Sequence, residues 1–384
     1  MPVERTLPTA EAGDLLELTR ELVTKELLPR AARDEAQGVF PREVFTTLGE
    51  AGLLGLPYPS AYGGGDQPYE VYLQVVEELA AGWLAVGLGL SVHTLACFPV
   101  ANYGSTEQRE RLLPDLLGSQ LLGAYCLSEA HSGSDAAALA TRAQPETEGY
   151  RVSGSKAWIT HGGVADFYTL FARTGSPDSG ANGITCLHVP ATASGLAAEP
   201  PERKMGMSSS PTAALRFDGV AVASADRIGE EGTGFQIALS ALDSGRLGIA
   251  ACAVGTAQAA LDAAVAYAQQ REQFGTPIAE FQGVSFLLAD MATQISAARE
   301  LYLSAARLRD AGRAFSQQAA MAKLFASDAA MRVTTDAVQV LGGYGYTRDF
   351  PVERLMREAK VLQIVEGTNQ VQRMVIGRSL TRGA

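Results

Sequence analysis

From Leu79 to Thr106 the chain carries no charged residue, a run longer than the roughly 20 residues needed to cross a bilayer. Such a run must be hidden from water, in lipid or inside protein. Its flanks are Glu77, Glu78 and Glu107 rather than Lys or Arg, it contains His93, Asn102 and Pro99, and Ala and Gly fill much of it. A spanning helix is anchored at its ends by basic and aromatic residues, and a proline tends to break a helix. The run therefore reads as a helix buried inside a soluble protein, with no membrane partner. The chain has 384 residues, beyond the size at which one core stops growing, so two or three domains are expected around it.

The texture changes twice. Before Leu121 it is helical: Leu15, Leu16, Leu18, Leu22 and Val23 recur at three-four spacing, Pro29 and Pro41 punctuate, and Glu70 to Glu78 leads into the uncharged run. From about Leu121 to Gly229 short β-prone runs take over, beginning at Tyr150, Ala157, Phe167 and Ile184, separated by Gly, Pro, Ser and Asp clusters. From Gly232 the chain is Ala-rich. It predicts helices over Phe235 to Gln270, Val284 to Ala311 and Ser316 to Leu341, with shorter ones after Pro351 and Gly367. The order is helices, strands, helices, without an internal repeat.

Charge excludes some functions. The 31 Lys+Arg against 42 Asp+Glu leave a net −11, with no basic run for phosphates, so a nucleic-acid partner is not expected. Charged residues are 19% and apolar ones 47%, a balance that favours burying surface between subunits. Cys97, Cys126, Cys186 and Cys252 lack any paired spacing and read as buried thiols in a reducing compartment. The start, running from Met1 to Arg5 into an acidic stretch, resembles neither a signal nor a transit peptide, so a cytoplasmic protein is expected.

No G-x-G-x-x-G follows a strand, and neither a Walker-type loop nor a G-x-S-x-G elbow occurs. Rossmann nicotinamide binding, P-loop chemistry and an esterase-type nucleophile lose support. His93, His131, His161 and His188 are isolated, so no metal site is expected.

Three groups of residues remain. Tyr125 to Asp135 (Tyr-Cys-Leu-Ser-Glu-Ala-His-Ser-Gly-Ser-Asp) goes with Lys156 to Gly163; Leu242-Asp-Ser-Gly-Arg246 goes with Arg271 to Ile278 and Phe281-Gln282; Gln339 to Tyr346 goes with Val365 to Gln370. In content and order, over nearly the whole chain, they resemble the acyl-CoA dehydrogenase family. The resemblance implies an α+β fold of three domains: an N-terminal all-α domain (1–120), a middle β-barrel domain (121–230) and a C-terminal four-helix bundle (231–384). It implies FAD as cofactor, an acyl-CoA substrate, a homotetramer built as a dimer of dimers, and an electron-transferring flavoprotein as electron acceptor. The implied reaction removes the α-proton of the thioester to a glutamate and the β-hydrogen as hydride to flavin N5, leaving the 2-enoyl-CoA.

Glu366 matches the family's base. An α-C–H beside a thioester is a weak acid, so the site must supply a desolvated base and stabilise the enolate oxygen; the resemblance assigns the second task to the ribityl hydroxyl and the Glu366 N–H. Water expulsion would raise the Glu366 pKa while the helix opening after Gly367 would favour the anion, and the sequence leaves that balance open. A subset of the family carries its base at the position of Gly245, which cannot serve.

For the flavin, the resemblance implies Tyr125, backbone contacts from Leu127, hydroxyls of Ser128 and Thr160, and Trp158 with Ile159 beside the ring, the alternative being that Trp158 and Ile159 are plain core. Arg271 would meet the FAD pyrophosphate across the subunit interface, as a guanidinium suits. Phe274 and Gln282 would sit against the adenosine half. Gln339, Gly342 and Gly343 would let backbone approach the dinucleotide, or merely stop a helix. Thr368 and Gln370 would also touch FAD. For the substrate, the implied residues are Ser134, Asp243, Arg246 and Gly367, the bland reading of Asp243 and Arg246 being an intrahelical ion pair.

Three departures stand out: Ala130-His131 after Ser128-Glu129, His161 after Thr160, and Val365 before the base, where the family tends to carry an aromatic. The last removes bulk beside the thioester, which would either admit a branched α-carbon or merely repack, while the Leu242 to Arg246 and C-terminal segments resemble those of short- and branched-chain members. Alternatives are an acyl-CoA oxidase-type enzyme on the same scaffold, a flavin monooxygenase, which the presence of Glu366 argues against, and a non-catalytic FAD- or acyl-CoA-binding assembly partner.

Overall fold

The fold follows from where small residues let helices meet. In the computed structural model, which describes residues 3–381, six helices come first: α1 (Ala10–Leu22), α2 (Leu28–Gln37), α3 (Arg42–Glu50), α4 (Tyr69–Gly82), α5 (Leu84–Tyr103) and α6 (Thr106–Leu116). Thr9 caps α1 by accepting from the Ala12 N–H, and Ser105 with Gln108 forms a reciprocal capping box on α6. The uncharged run is split by Trp83, which is extended between α4 and α5, and every residue from Leu84 to Val100 is buried. Pro99 does not break α5, contrary to the sequence expectation: the helix runs on to Tyr103. Close packing on every side outweighs the one backbone hydrogen bond the proline removes.

The middle region holds β1 (Gly123–Cys126), β2 (Arg142–Glu146), β3 (Gly149–Thr160), β4 (Phe167–Arg173), β5 (Ile184–Pro190), β6 (Leu196–Ala198), β7 (Thr212–Ala223) and β8 (Arg227–Ile228). They form one sheet ordered β6-β7-β3-β2-β4-β5-β8, with β1 parallel to β4. Although three strands separate β7 from β5 in that order, the two approach each other, so the sheet is rolled into a barrel. Val152, Ile159, Leu170, Leu187, Leu215 and Val220 meet inside it.

The last region is α7 (Gly234–Gln270), the hairpin β9 (Glu272–Gln273) and β10 (Thr276–Pro277), then α8 (Gln282–Asp310), α9 (Ser316–Leu341), α10 (Val352–Leu362) and α11 (Asn369–Thr381). α7, α8 and α9 pack on one another, α10 closes against α7 and α9, and α11 lies on α9. One hydrophobic core joins this bundle to α4 and α5, taking in Val76, Leu79, Leu84, Leu90, Leu247 and Ile249. α7 permits it by lacking side chains: a Cβ on Gly255 would lie 2.2 Å from the Glu77 carbonyl oxygen, and one on Gly248 would lie 2.1 Å from Ser91 Oγ. The Ala-rich texture is thus a packing surface as well as a helix propensity.

Candidate active site

Between α10 and α11 the backbone turns through two residues in the left-handed region, Glu366 (φ 52°) and Gly367 (φ 92°). Glycine adopts this freely, but glutamate does so at a cost of about 1–3 kcal/mol, so the surroundings must hold it. They do so with polar groups. The Gly367 carbonyl accepts from Lys323 Nζ (3.0 Å) and Gln372 Nε2 (2.8 Å), and the Glu366 carbonyl accepts from Gln372 Nε2 (3.2 Å). Asn369 receives Lys323 Nζ on its oxygen (2.8 Å) and donates to Asp328 Oδ1 (2.7 Å). Thr368 Oγ1 accepts from the Val371 N–H, which starts α11.

The turn drives the Glu366 carboxyl against α7 where Gly245 offers no side chain. A Cβ at 245 would lie 1.9 Å from Glu366 Oε2 and 3.2 Å from Leu95 Cδ1 on α5. Both carboxyl oxygens are buried and without a hydrogen-bond partner. Burial pushes the carboxyl up to about 8, against the opposite pull of Arg246 and Lys323. Desolvation is thus the leading influence on this carboxyl, ahead of the two neighbouring cations. Among the described residues the Glu366 N–H also finds no acceptor, so an unpartnered carboxyl and an unpartnered N–H donor lie on one residue.

Next to Gly245 a narrow cavity of about 10 Å³, room for about one water, is lined by Tyr58, Tyr69, Thr94, Leu95, Phe98 and Arg309. Its wall is tied down: Tyr69 donates to the Ser244 carbonyl at 3.0 Å, and the Arg309 guanidinium sits 3.8 Å from the Tyr69 ring centre.

A ledge stands on the barrel rim. β3 carries an irregularity between Lys156 and Ile159 against β7, and Trp158 within it takes φ 64° with its ring 60% exposed. Ile159 points the other way into the barrel core, so the core alternative holds for Ile159 and not for Trp158. The 127–129 segment is pinned beside them. Lys156 Nζ donates to the Leu127 carbonyl (2.9 Å) and to Glu129 Oε1 (2.8 Å), and the Ala157 N–H to the Ser128 carbonyl (3.0 Å). Burial alone would raise Glu129, yet Lys156 and the amides of Ala140 and Thr141 hold it below the ordinary value. Among the described residues the hydroxyls of Ser128 and Thr160 have no partner within the chain, whereas Tyr125 spends its hydroxyl on the Ala238 carbonyl. An exposed indole on a strained backbone with two uncommitted hydroxyls fits a planar polar-edged group such as a flavin ring.

The other expected cofactor residues gather elsewhere. Arg271, Gly342 and Gly343 line a cleft of about 470 Å³ with Tyr267, Ile278 and Tyr344, and none of the barrel-rim residues borders it. Arg271 is exposed and lies over the Tyr344 ring, and Phe274, at φ 54°, is 97% exposed on the hairpin. Gln339 lies in the last turn of α9, Gly342 caps that helix at φ 60°, and Gln282 opens α8. An apolar ring so exposed, on the hairpin that follows Arg271, is a surface prepared for contact. Gln370 is exposed on α11, and Ser134 is exposed on the loop after β1. Asp243 and Arg246 form the ion pair at 2.6 Å, with Ser316 also on Asp243 and Arg246 Nε left buried and unpartnered.

Sequence reasoning passed over Lys323, Asn369 and Gln372, which hold the Glu366 turn, and the Lys156–Glu129 pair that holds the rim. The first had a signal: Lys323 is the sole charge between Arg313 and Asp328 in an Ala-rich helix.

Three family models cover the chain in order: acyl-CoA dehydrogenase N-terminal domain over residues 9–120, middle domain over 124–220, and C-terminal domain over 232–381. An acyl-CoA dehydrogenase of Bacillus subtilis (strain 168) is 46% identical over 376 residues, 98% of this chain and 99% of that one. Two solved structures share the fold throughout. A chain solved in work on the electron transferring flavoprotein of Acidaminococcus fermentans and flavin-based electron bifurcation has TM-score 0.97, 41% identity, and coverage of 99% and 100%. Butyryl-CoA dehydrogenase from Megasphaera elsdenii has TM-score 0.95, 42% identity, and coverage of 98% and 100%.

Proposed function

The chain belongs to the acyl-CoA dehydrogenase family of FAD-dependent oxidoreductases, and on that premise we propose that it desaturates a short acyl-CoA thioester between its α- and β-carbons with Glu366 as the base. The observation that carries this reading is the Glu366 carboxyl itself: buried, without a hydrogen-bond partner, raised to about 8 and seated in the gap at Gly245. A raised pKa makes the ionised carboxylate a stronger base toward the weakly acidic α-C–H.

The Glu366 N–H, which has no acceptor among the described residues, donates to the thioester oxygen as negative charge develops there. Lys323 and Arg246 favour the carboxylate electrostatically. Trp158, Ser128 and Thr160 would hold the flavin at the barrel rim, and FAD, when bound, accepts the hydrogen that leaves the β-carbon as hydride. Arg271, Phe274, Gln282, Gln339, Gly342 and Gly343 would serve the FAD of a neighbouring copy in a homotetramer, which accounts for Arg271, Gly342 and Gly343 lining a cleft apart from the barrel rim. The short substrate is supported by the small cavity beyond Gly245 and by the likeness to a butyryl-CoA dehydrogenase. An electron-transferring flavoprotein would accept the electrons, a reading helped by the Acidaminococcus relative. The four unpaired buried cysteines suit the cytoplasm.

Anaerobic titration of the FAD-loaded protein with straight and branched acyl-CoAs tests the reading through loss of the visible flavin band. Fastest bleaching is expected with four- to six-carbon chains, and none in Glu366→Gln. Faster bleaching by a sixteen-carbon chain overturns the short-chain assignment; undiminished bleaching in Glu366→Gln overturns the base. Reoxidation by air as fast as by the flavoprotein acceptor would make the enzyme an oxidase.

A further inference from the structure

We propose that Lys323 is a positioning residue for the base: from α9 it fastens the turn that aims the Glu366 carboxyl into the gap at Gly245. The inference rests on Glu366 being the base.

Lys323 is fully buried. Its ammonium group donates to the Gly367 carbonyl at 3.0 Å and to Asn369 Oδ1 at 2.8 Å, one residue and three residues past Glu366. The Gly367 carbonyl does not need it for satisfaction, because it also accepts from Gln372 Nε2 at 2.8 Å. Asn369 Oδ1 has the Ser327 hydroxyl at 3.1 Å besides, though that hydroxyl's single proton also has the Lys323 carbonyl at 2.8 Å. A methionine here would leave the first acceptor satisfied and the second to the Ser327 hydroxyl, and it would avoid the cost of burying an ammonium group, since well-packed apolar replacements of buried ionic groups are often neutral or stabilising. Stability alone does not explain the lysine. What it adds is a rigid tie between α9 and the left-handed turn, together with positive charge facing an unpartnered carboxylate.

The other groups that bear on Glu366 electrostatically are Arg246 and Cys252 on α7, Tyr69 on α4 and Tyr125 on β1. The tyrosines and the cysteine are raised by burial and stay neutral, so Arg246 supplies positive charge throughout and Lys323 supplies it while protonated. Burial pulls Lys323 down to about 7 against the pull of Glu366.

Two variants separate the tie from the charge. Lys323→Met removes both; Lys323→Gln removes the charge and keeps an N–H donor. Flavin bleaching by butyryl-CoA is followed anaerobically across pH 6 to 10, with Kd for crotonyl-CoA and the unfolding midpoint of each FAD-loaded protein. For Lys323→Met the expectation is an unfolding midpoint at or above wild type, crotonyl-CoA Kd within about threefold, and maximal bleaching slowed roughly 10- to 100-fold, the range that ångström-scale misplacement of a reacting group produces. Lys323→Gln is expected to recover most of that rate, and in both variants the foot of the rising limb, where Lys323 is still protonated, moves to higher pH. A folded Lys323→Met that bleaches at the wild-type rate with the wild-type limb overturns the proposal. So does a large loss of stability with the limb unmoved, which would mark the lysine as a structural prop. Glu366→Gln run in parallel tells the two failures apart: if it still bleaches, the base assignment has failed; if it does not while Lys323→Met does, the positioning role alone has failed.

Discussion

Gly245→Ala puts a methyl group where the Glu366 carboxyl lies, and it should divide stability from activity. The added Cβ would be 1.9 Å from Oε2, 2.8 Å from the carboxyl carbon and 3.2 Å from Leu95 Cδ1. Ordinary contact begins near 3.4 Å, so the carboxyl must retreat by about 1.5 Å while Leu95 gives a few tenths. The carboxyl is the free end of a flexible side chain and loses no hydrogen bond by moving, because it has none. Replacing a helix-interior glycine by alanine favours the helix by about 1 kcal/mol. The variant should therefore unfold at or above the wild-type midpoint. Its base, however, is displaced by more than the ~1 Å that can cost about 100-fold in rate, equivalent to about 2.7 kcal/mol of barrier. Stopped-flow bleaching of the anaerobic, FAD-replete protein by butyryl-CoA should be slowed by that order, with the midpoint read on the same sample. Wild-type bleaching in a folded, flavin-loaded Gly245→Ala would refute the claim that this gap seats the base.

Ten residues along the same helix the opposite result is expected. A Cβ on Gly255 meets the Glu77 carbonyl oxygen at 2.2 Å and the Ala81 nitrogen at 2.9 Å, both backbone of α4, so Gly255→Ala must push α7 and α4 apart and lower the unfolding midpoint, by roughly 1–3 kcal/mol or more; an unchanged midpoint removes the close-packing argument. With Glu366 near 8, kcat/KM for butyryl-CoA should rise about tenfold from pH 7 to pH 9 as the free-enzyme base ionises, and a profile flat above pH 6 would contradict the raised value. Burial pushes Glu358 up to about 7, with Arg354 opposing. A carboxyl raised on folding contributes stability below its unfolded pKa, near 4.5, and loses it as pH rises through about 7. Glu358→Gln should thus gain on wild type between pH 5 and pH 8, by up to roughly 3 kcal/mol, visible as a growing difference in unfolding temperature; a constant difference would refute it.

What the sequence disclosed depended on how local the cause was. Helical periodicity is local, and α9 runs over the expected Ser316 to Leu341 while α7 and α8 start within two residues of expectation. β7 went unread because Asp218-Gly219 looks like a turn, and the strand continues through it with Gly219 at φ 66°. Proximity was harder. Glu366 and Gly245 each stood out in the sequence, but that they touch depends on where α7 passes the α10–α11 turn. The Glu366 pKa follows from enclosure by α5, α7 and α9, and no local pattern reports it. The expected flavin residues separate into a barrel-rim group and a bundle-end group, a division set by the tertiary fold.

The core shared by α4, α5 and α7 has a consequence for synthesis. When the chain has been made to residue 230, α5 is complete and uncharged, but α7, which covers it, begins only at Gly234. At translation rates of about 5–20 residues per second, the interval from the end of α5 at Tyr103 to the end of α7 at Gln270 is roughly ten to thirty seconds. Throughout it the face of α5 that packs on α7 lies uncovered on the nascent chain, while its neighbours α4, α6 and β1 are already made. Truncation before α7 should therefore yield a protein that aggregates rather than a smaller folded one, as light scattering of the 1–230 fragment would show.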